Sequence, residues 1–344
     1  MKDESESQRK WAIWLVFVTL LAAAAPIPAQ EPVNVQAARR DFGNAYRKGD
    51  WGRAVDLGFE LESMVPKSSR EQYNLACVLA LNGEGDAALG WLEKAAANGL
   101  CRISLLEVDP DLEGVRDLAG HQVVQKMVSE NSGRRHDLVY RTAAANQPLT
   151  VLPKKSATDE PRPLIIVLHG FGGSPAGFEE IWGPAAERID AILVVPNGPR
   201  PIGNGRGWVD LDEADAVVEA TIDYARERFE VDWERVVLTG FSEGGFMAMA
   251  LGTRHPDLFA GVIPVAGGYI PEIDAPSKAE AGNPRFYFMV GLLDRAARQV
   301  RLAASDYRAA GYEVDLRMFP DTGHEFPRNT RAELLRALRF VLDE

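Results

Sequence analysis

Val236-Val237-Leu238-Thr239-Gly240-Phe241-Ser242-Glu243-Gly244-Gly245-Phe246-Met247-Ala248-Met249-Ala250-Leu251 is the stretch on which the reading of this chain turns. Its first four residues are a short apolar, β-branched run of the kind that makes a buried strand. Its last six read as an apolar helix. Between them a serine sits on a turn so tight that side chains two residues to either side would collide, and glycine stands at both places, Gly240 and Gly244. A turn of this kind strains the serine and lifts its hydroxyl above the sheet edge. The G-x-S-x-G string acquires meaning only if a base, an acid and anion-holding N–H groups are placed around it in the right order.

Outward from this stretch, strands alternate with helices from Asp137 onward, which is the pattern of an α/β sheet. Leu138–Thr142 and Leu149–Leu152 suggest an opening antiparallel pair around an Asn146-Gln147-Pro148 turn. Leu164–Leu168 is a continuous apolar run, expected to be buried on both faces. Ala191–Val195, Val236–Thr239, Val262–Ala266, Phe286–Val290 and Val314–Phe319 continue the series, and a helix over 328–342 closes it.

Three groups of residues fall at the C-terminal ends of these strands, where open α/β sheets hold their ligands. His169-Gly170-Phe171-Gly172-Gly173 follows Leu164–Leu168. A free N–H in that loop can join the N–H of Glu243 to hold an oxyanion, so Glu243 is expected to act through its amide and not its carboxylate. His169 is read as a structural residue that orients the loop. Asp294 follows Phe286–Val290, and His324, in Asp321-Thr322-Gly323-His324-Glu325-Phe326, follows the last strand. Hydrolysis of an ester by a serine needs a base to take and return its proton, and a carboxylate to fix the imidazole tautomer. The chain order Ser242, Asp294, His324 meets that need. Asp321 is the alternative acid, but three residues from His324 it would struggle to face the ring. His255 is expected at the far end of the helix after the serine, and His121 and His136 lie upstream in the chain. Trp208, in the long loop Pro196–Asp210, is read either as a specificity element touching substrate or as a residue packing the loop down.

With these residues in hand, region 137–344 resembles the α/β-hydrolase superfamily, and within it the phospholipase/carboxylesterase and dienelactone-hydrolase-like esterases. The resemblance rests on Leu168-His169-Gly170-Phe171-Gly172-Gly173, Gly240-Phe241-Ser242-Glu243-Gly244-Gly245, the Asp294 loop and Gly323-His324. It implies a mostly parallel sheet with helices on both faces, an acyl-enzyme on Ser242, and oxyanion N–H groups from Phe171 and Glu243. The implied substrate is a small ester or thioester. Two departures stand out: those relatives often carry glutamine where Glu243 stands, and a Val-Pro pair where Arg295-Ala296-Ala297 follows the acid. Dienelactone hydrolase itself uses cysteine, so Ser242 favours esters over that lactone chemistry. The connection Gly267–Arg285 is too short for a folded cap, which favours soluble, accessible esters. A serine peptidase on the same fold and a degenerate, non-catalytic hydrolase attached to an interaction module are the competing readings.

Upstream, residues 33–130 are rich in alanine and leucine and poor in strand formers. Lys48-Gly49-Asp50-Trp51-Gly52-Arg53-Ala54 recurs loosely as Asn82-Gly83-Glu84-Gly85-Asp86-Ala87-Ala88, a spacing of 34 residues. This is similar to the tetratricopeptide period of helix, glycine turn and helix. It implies a small all-α module, with Leu105–Ser129 as a terminal cap and a groove for a peptide or protein partner, or else a helical appendage. Residues 131–136 read as a polar linker.

At 344 residues the chain has room for two domains. It is 46% hydrophobic and 26% charged with a formal net charge of −12, which argues against nucleic acid as a partner. No C-x-x-C, H-E-x-x-H, Walker or dinucleotide string occurs, so neither metal nor cofactor is expected. Residues 1–29, with Arg9 and Lys10 before the apolar run Trp11–Ala25, have the layout of a secretory signal peptide, which implies a secreted or periplasmic protein. An uncleaved membrane anchor is the alternative. Cys77 and Cys101 could pair in an oxidising compartment or remain small buried hydrophobes.

Overall fold

The computed structural model describes residues 33–153, 160–269, 276, 278–280 and 283–343. The leader-like residues 1–29 and nine of the nineteen residues of the Gly267–Arg285 connection lie outside the described residues. The chain divides into two compact units between Asp137 and Leu138.

The front unit is helical: α1 (Val33–Arg47), α2 (Trp51–Met64), α3 (Ser69–Leu81), α4 (Gly85–Ala97) and α5 (Ile103–Val108), then a 3₁₀ turn over Pro110–Val115 and the start of α6 (His121–Ala145). Consecutive helices from α1 to α4 pack on one another. Gly49 and Gly83, one period apart, both adopt a positive φ, 69° and 84°, where a side chain would be strained. Ala54 and Ala88, also one period apart, have no exposed surface and let successive helices approach closely. Leu105, Leu106, Leu112 and Val115 close the end of the same core. Cys77 and Cys101 are both free thiols. Among the described residues no helix is long and apolar enough to cross a membrane.

The second unit is built on β1 (Leu149–Val151), β2 (Arg162–Leu168), β3 (Ile192–Val195), β6 (Val231–Phe241), β7 (Gly261–Val265), β8 (Arg285–Gly291) and β9 (Val314–Phe319). They form one seven-stranded sheet in the order β1-β3-β2-β6-β7-β8-β9. Among the described residues of this sheet, only the β1–β3 pair is antiparallel. Strand residues alternate between two buried clusters. Leu164, Ile166, Leu168, Leu238 and Phe288 join one, and Ile165, Val167, Val237, Ile263 and Met289 the other. Both faces are therefore covered, which is why these strands read as unbroken apolar runs. The helices are α7 (Pro175–Ala186), α8 (Leu211–Arg228), α9 (Glu243–Arg254), α10 (Ala297–Ala309) and α11 (Thr330–Leu342). A short hairpin, β4 (Arg200–Ile202) with β5 (Gly205–Gly207), stands apart from the main sheet.

Two expectations are corrected. Leu138–Thr142 is helical, and so is the segment 131–136 read as a linker, because α6 runs without a break to Ala145. No proline or glycine interrupts 134–147, and Ala143-Ala144-Ala145 are strong helix formers. Tertiary contacts add to this: Val139 is buried, and the Tyr140 hydroxyl donates to Asp223 Oδ2 at 2.8 Å. The antiparallel partner of Leu149–Val151 is thus β3, with Leu149 opposite Val195 and Val151 opposite Leu193.

Candidate active site

The turn between β6 and α9 is as tight as its glycines require. A Cβ added at Gly240 would lie 2.2 Å from Gly244 O, and one at Gly244 would lie 2.2 Å from Leu168 O. Both obstacles are backbone and cannot swing aside. Replacing Gly244 with alanine is therefore expected to cost about 3 kcal/mol or more of stability. Gly177→Ala in α7, where an added Cβ meets nothing within 4 Å, should be neutral or slightly stabilising. Urea midpoints of the two variants check this.

Ser242 itself sits at φ 55°, ψ −116°. A non-glycine residue persists there only when its surroundings hold it. Its N–H donates to Val265 O at 2.8 Å and its carbonyl accepts from Phe246 N at 3.0 Å, so strand β7 and helix α9 grip it from both sides.

Ser242 Oγ lies 2.8 Å from His324 Nε2, and His324 Nδ1 lies 2.7 Å from Asp294 Oδ2. The assigned pattern is Nδ1–H donating to the carboxylate, which leaves Nε2 to accept the serine proton. Asp294 is buried, and its other oxygen accepts from Ala296 N at 2.9 Å, so both lone-pair sets are directed. The His324 side chain is 49% exposed, open to a reactant, while the Phe241 ring lies 5.0 Å from its centroid on the other side. Phe241 in turn stacks on Phe326. This aromatic support was not foreseen, since neither phenylalanine carries chemistry of its own. Asp321 is exposed on the last loop, and the Nδ1 bond goes to Asp294. His255 belongs elsewhere: its Nε2 lies 2.9 Å from Asp215 at the far end of α9. His121 is buried within the front unit and His136 lies on α6.

The His169–Gly173 loop lies against the serine turn. A Cβ at Gly170 would sit 3.6 Å from Ser242 Cβ. Among the described residues, the N–H groups of Phe171 and Glu243 donate to no other protein group. They are the two donors that the sequence singles out. His169 has no exposed surface; its Nδ1 faces Gly170 O at 2.9 Å and its Nε2 accepts from Gly198 N at 3.0 Å. Because Nε2 accepts an N–H it carries no proton, so the ring is neutral and structural; burial pushes its pKa down and the Arg206 charge adds to this, while the Gly170 bond works against it.

Two readings change here. Trp208 is fully buried, its indole N–H donating to His169 O at 2.7 Å, so it packs the loop down and has no surface with which to touch substrate. The Glu243 carboxylate is engaged after all: Oε2 accepts from Trp208 N at 3.0 Å and Oε1 from Val209 N at 3.1 Å. Burial raises its pKa, and the two N–H bonds work against that rise.

A serine hydroxyl hydrogen-bonded to an imidazole, itself oriented by a buried carboxylate, can give up its proton as its oxygen attacks an electrophile. Over part of its length the chain is similar to several known proteins. "Putative esterase NocK" of Nocardia uniformis subsp. tsuyamanensis is 39% identical over 131 residues, 33% of this chain and 36% of that one. Poly(3-hydroxyalkanoate) depolymerase C of Paucimonas lemoignei is 27% identical over 115 residues, 31% of this chain and 28% of that one. The chain thus spans about a third of the length of these two relatives. The crystal structure of esterase PE8 superposes with a TM-score of 0.49 at 21% identity, covering 57% of this chain and 99% of that one. Residues 154–340, more than half of the chain, match the phospholipase/carboxylesterase family, and the chain belongs to that family.

Proposed function

We propose that this chain is a serine hydrolase that cleaves carboxylic esters through an acyl-enzyme on Ser242. His324 is the general base and then the general acid, and Asp294 orients it. The N–H groups of Phe171 and Glu243 receive the oxyanion. The observation that carries the reading is the continuous relay from Ser242 Oγ through His324 to Asp294, with bonds of 2.8 and 2.7 Å, on a serine held at φ 55°. Attack by the serine oxygen on the ester carbonyl transfers its proton to Nε2. Collapse of the tetrahedral adduct returns that proton to the leaving alcohol, and water then repeats the sequence on the acyl-enzyme. A thioester would follow the same steps with a thiol as leaving group. The names of the matched relatives, an esterase and a polyester depolymerase among them, support ester chemistry over peptide cleavage. A panel of p-nitrophenyl esters of increasing acyl length tests the proposal; no turnover of any of them would sink it and favour the non-catalytic reading.

The tetratricopeptide-like character of the front unit, and export directed by residues 1–29, belong to the same proposal. The front unit supplies none of Ser242, Asp294, His324 or Phe171. A chain beginning near Arg134 keeps the anchors at Val139 and Tyr140. It is expected to hydrolyse a small soluble ester with kcat within about threefold of the full chain. A shortened chain that is folded by circular dichroism yet inactive on every ester would show that the helices shape the pocket. Sequencing the N-terminus of the exported protein tests cleavage of the leader.

A further inference from the structure

We infer that the carboxylate of Glu243 is a positioning residue that fixes the separation of the two oxyanion N–H groups. The inference rests on the acyl-transfer reading above. One donor is the amide of Glu243, at the start of α9. The other, the amide of Phe171, belongs to a different loop, and an oxyanion hole works only if both N–H groups point at one spot before the reaction begins.

A single hydrogen-bonded path joins the two loops. From the Glu243 backbone it runs through that residue's own side chain to the N–H groups of Trp208 and Val209, at 3.0 and 3.1 Å. From Trp208 it continues through the indole N–H to His169 O at 2.7 Å. The His169 ring then faces Gly170 O at 2.9 Å, and the next peptide N–H is that of Phe171.

The local geometry is shaped for a carboxylate. Val209 adopts φ 53°, closing a γ-turn in which Asp210 N donates to Trp208 O at 2.5 Å. A β-branched residue rarely accepts that conformation. The turn presents two successive N–H groups side by side, and the two oxygens of one carboxylate collect both. Gly207 leaves the room this needs, since a Cβ there would lie 3.0 Å from Glu243 Oε2. A glutamine offers one acceptor oxygen in place of two, and its NH₂ would confront the other N–H.

A residue that only stabilised the fold would change the unfolding midpoint and leave kcat alone. The test uses the full chain with p-nitrophenyl acetate, reading kcat and KM separately. It adds the Ki of an aryl trifluoromethyl ketone, whose serine adduct carries an oxyanion. Removing an oxyanion donor outright costs about 10²–10³ in kcat, so misplacing one through Glu243→Gln is expected to cost roughly 10- to 100-fold. KM should stay within about threefold, and the ketone should weaken by the same factor as kcat. Trp208→Phe, which removes the indole N–H from the path, should show the same signature. The double variant should lose less than the product of the two single losses. If Glu243→Gln does not fold, Trp208→Phe carries the test alone. An active wild type beside a variant with unchanged kcat and ketone affinity overturns the inference. A wild type that neither hydrolyses the ester nor binds the ketone overturns the acyl-transfer reading, and the inference with it.

Discussion

Ser242→Ala is expected to abolish ester hydrolysis, with a loss in kcat on the order of 10⁶. The size follows from the mechanism proposed: without Oγ there is no atom to carry the acyl group, and the imidazole and carboxylate have no proton to move. The substitution removes one buried-edge hydroxyl and keeps the Cβ that the turn already accommodates. The backbone bonds from Ser242 N to Val265 O and from Phe246 N to Ser242 O are untouched. The variant should therefore fold, with an unfolding midpoint close to that of the wild type. A fluorophosphonate probe should label the wild type and not the variant. Label that persists on another serine would move the nucleophile elsewhere and dismantle the site as built here.

The parts of this molecule legible from its sequence are those in which the chemistry of one segment determines its own geometry. β2 and β6 were readable because a strand buried on both faces must be apolar throughout. The serine turn was readable because a Cβ at Gly240 or Gly244 would lie 2.2 Å from a backbone oxygen, so neither place admits another residue. Asp294 and His324 were readable by position, each in the loop that follows its strand. What stayed hidden depends on partners distant in the chain. Leu138-Val139-Tyr140-Arg141-Thr142 alternates like a strand, and the buried Val139 and the Tyr140–Asp223 bond are needed to see why it is a helix. The fate of Trp208 turns on the carbonyl of His169, 39 residues earlier. The task of the Glu243 carboxylate is set by a γ-turn at Val209, where sequence alone argues against a positive φ. For Trp208 and Glu243 the deciding contact is a backbone group, whose availability no residue type announces.

The Phe241 ring, placed between His324 and Phe326, shows how local identity and tertiary position combine. It occupies the x position of the G-x-S-x-G string, where the turn itself tolerates many side chains. Packed at a tilt against the half-exposed imidazole, it gives that ring a wall, so His324 does not rely on two hydrogen bonds alone to hold its orientation. The carboxylate therefore has to select the tautomer more than to immobilise the ring.

That division of labour fixes what should follow from changing the two acids. Asp294→Asn keeps the shape of the side chain and its acceptance from Ala296 N, but its amide can donate to Nδ1. Donation to Nδ1 moves the ring proton to Nε2, where it faces Ser242 Oγ and can no longer accept the serine proton. It also removes the negative charge that stabilises the imidazolium. The expected loss is about 10⁴ in kcat, the size known for the same change in a serine protease. Asp321→Asn, on the exposed surface of the last loop, should leave kcat within about threefold. Measuring both at saturating p-nitrophenyl ester, with circular dichroism to confirm folding, separates the two acids. A severe loss in Asp321→Asn beside a mild one in Asp294→Asn would mean that the 2.7 Å bond to His324 is not the one used in turnover. The proton would then have to be steered from the loop that carries the histidine itself.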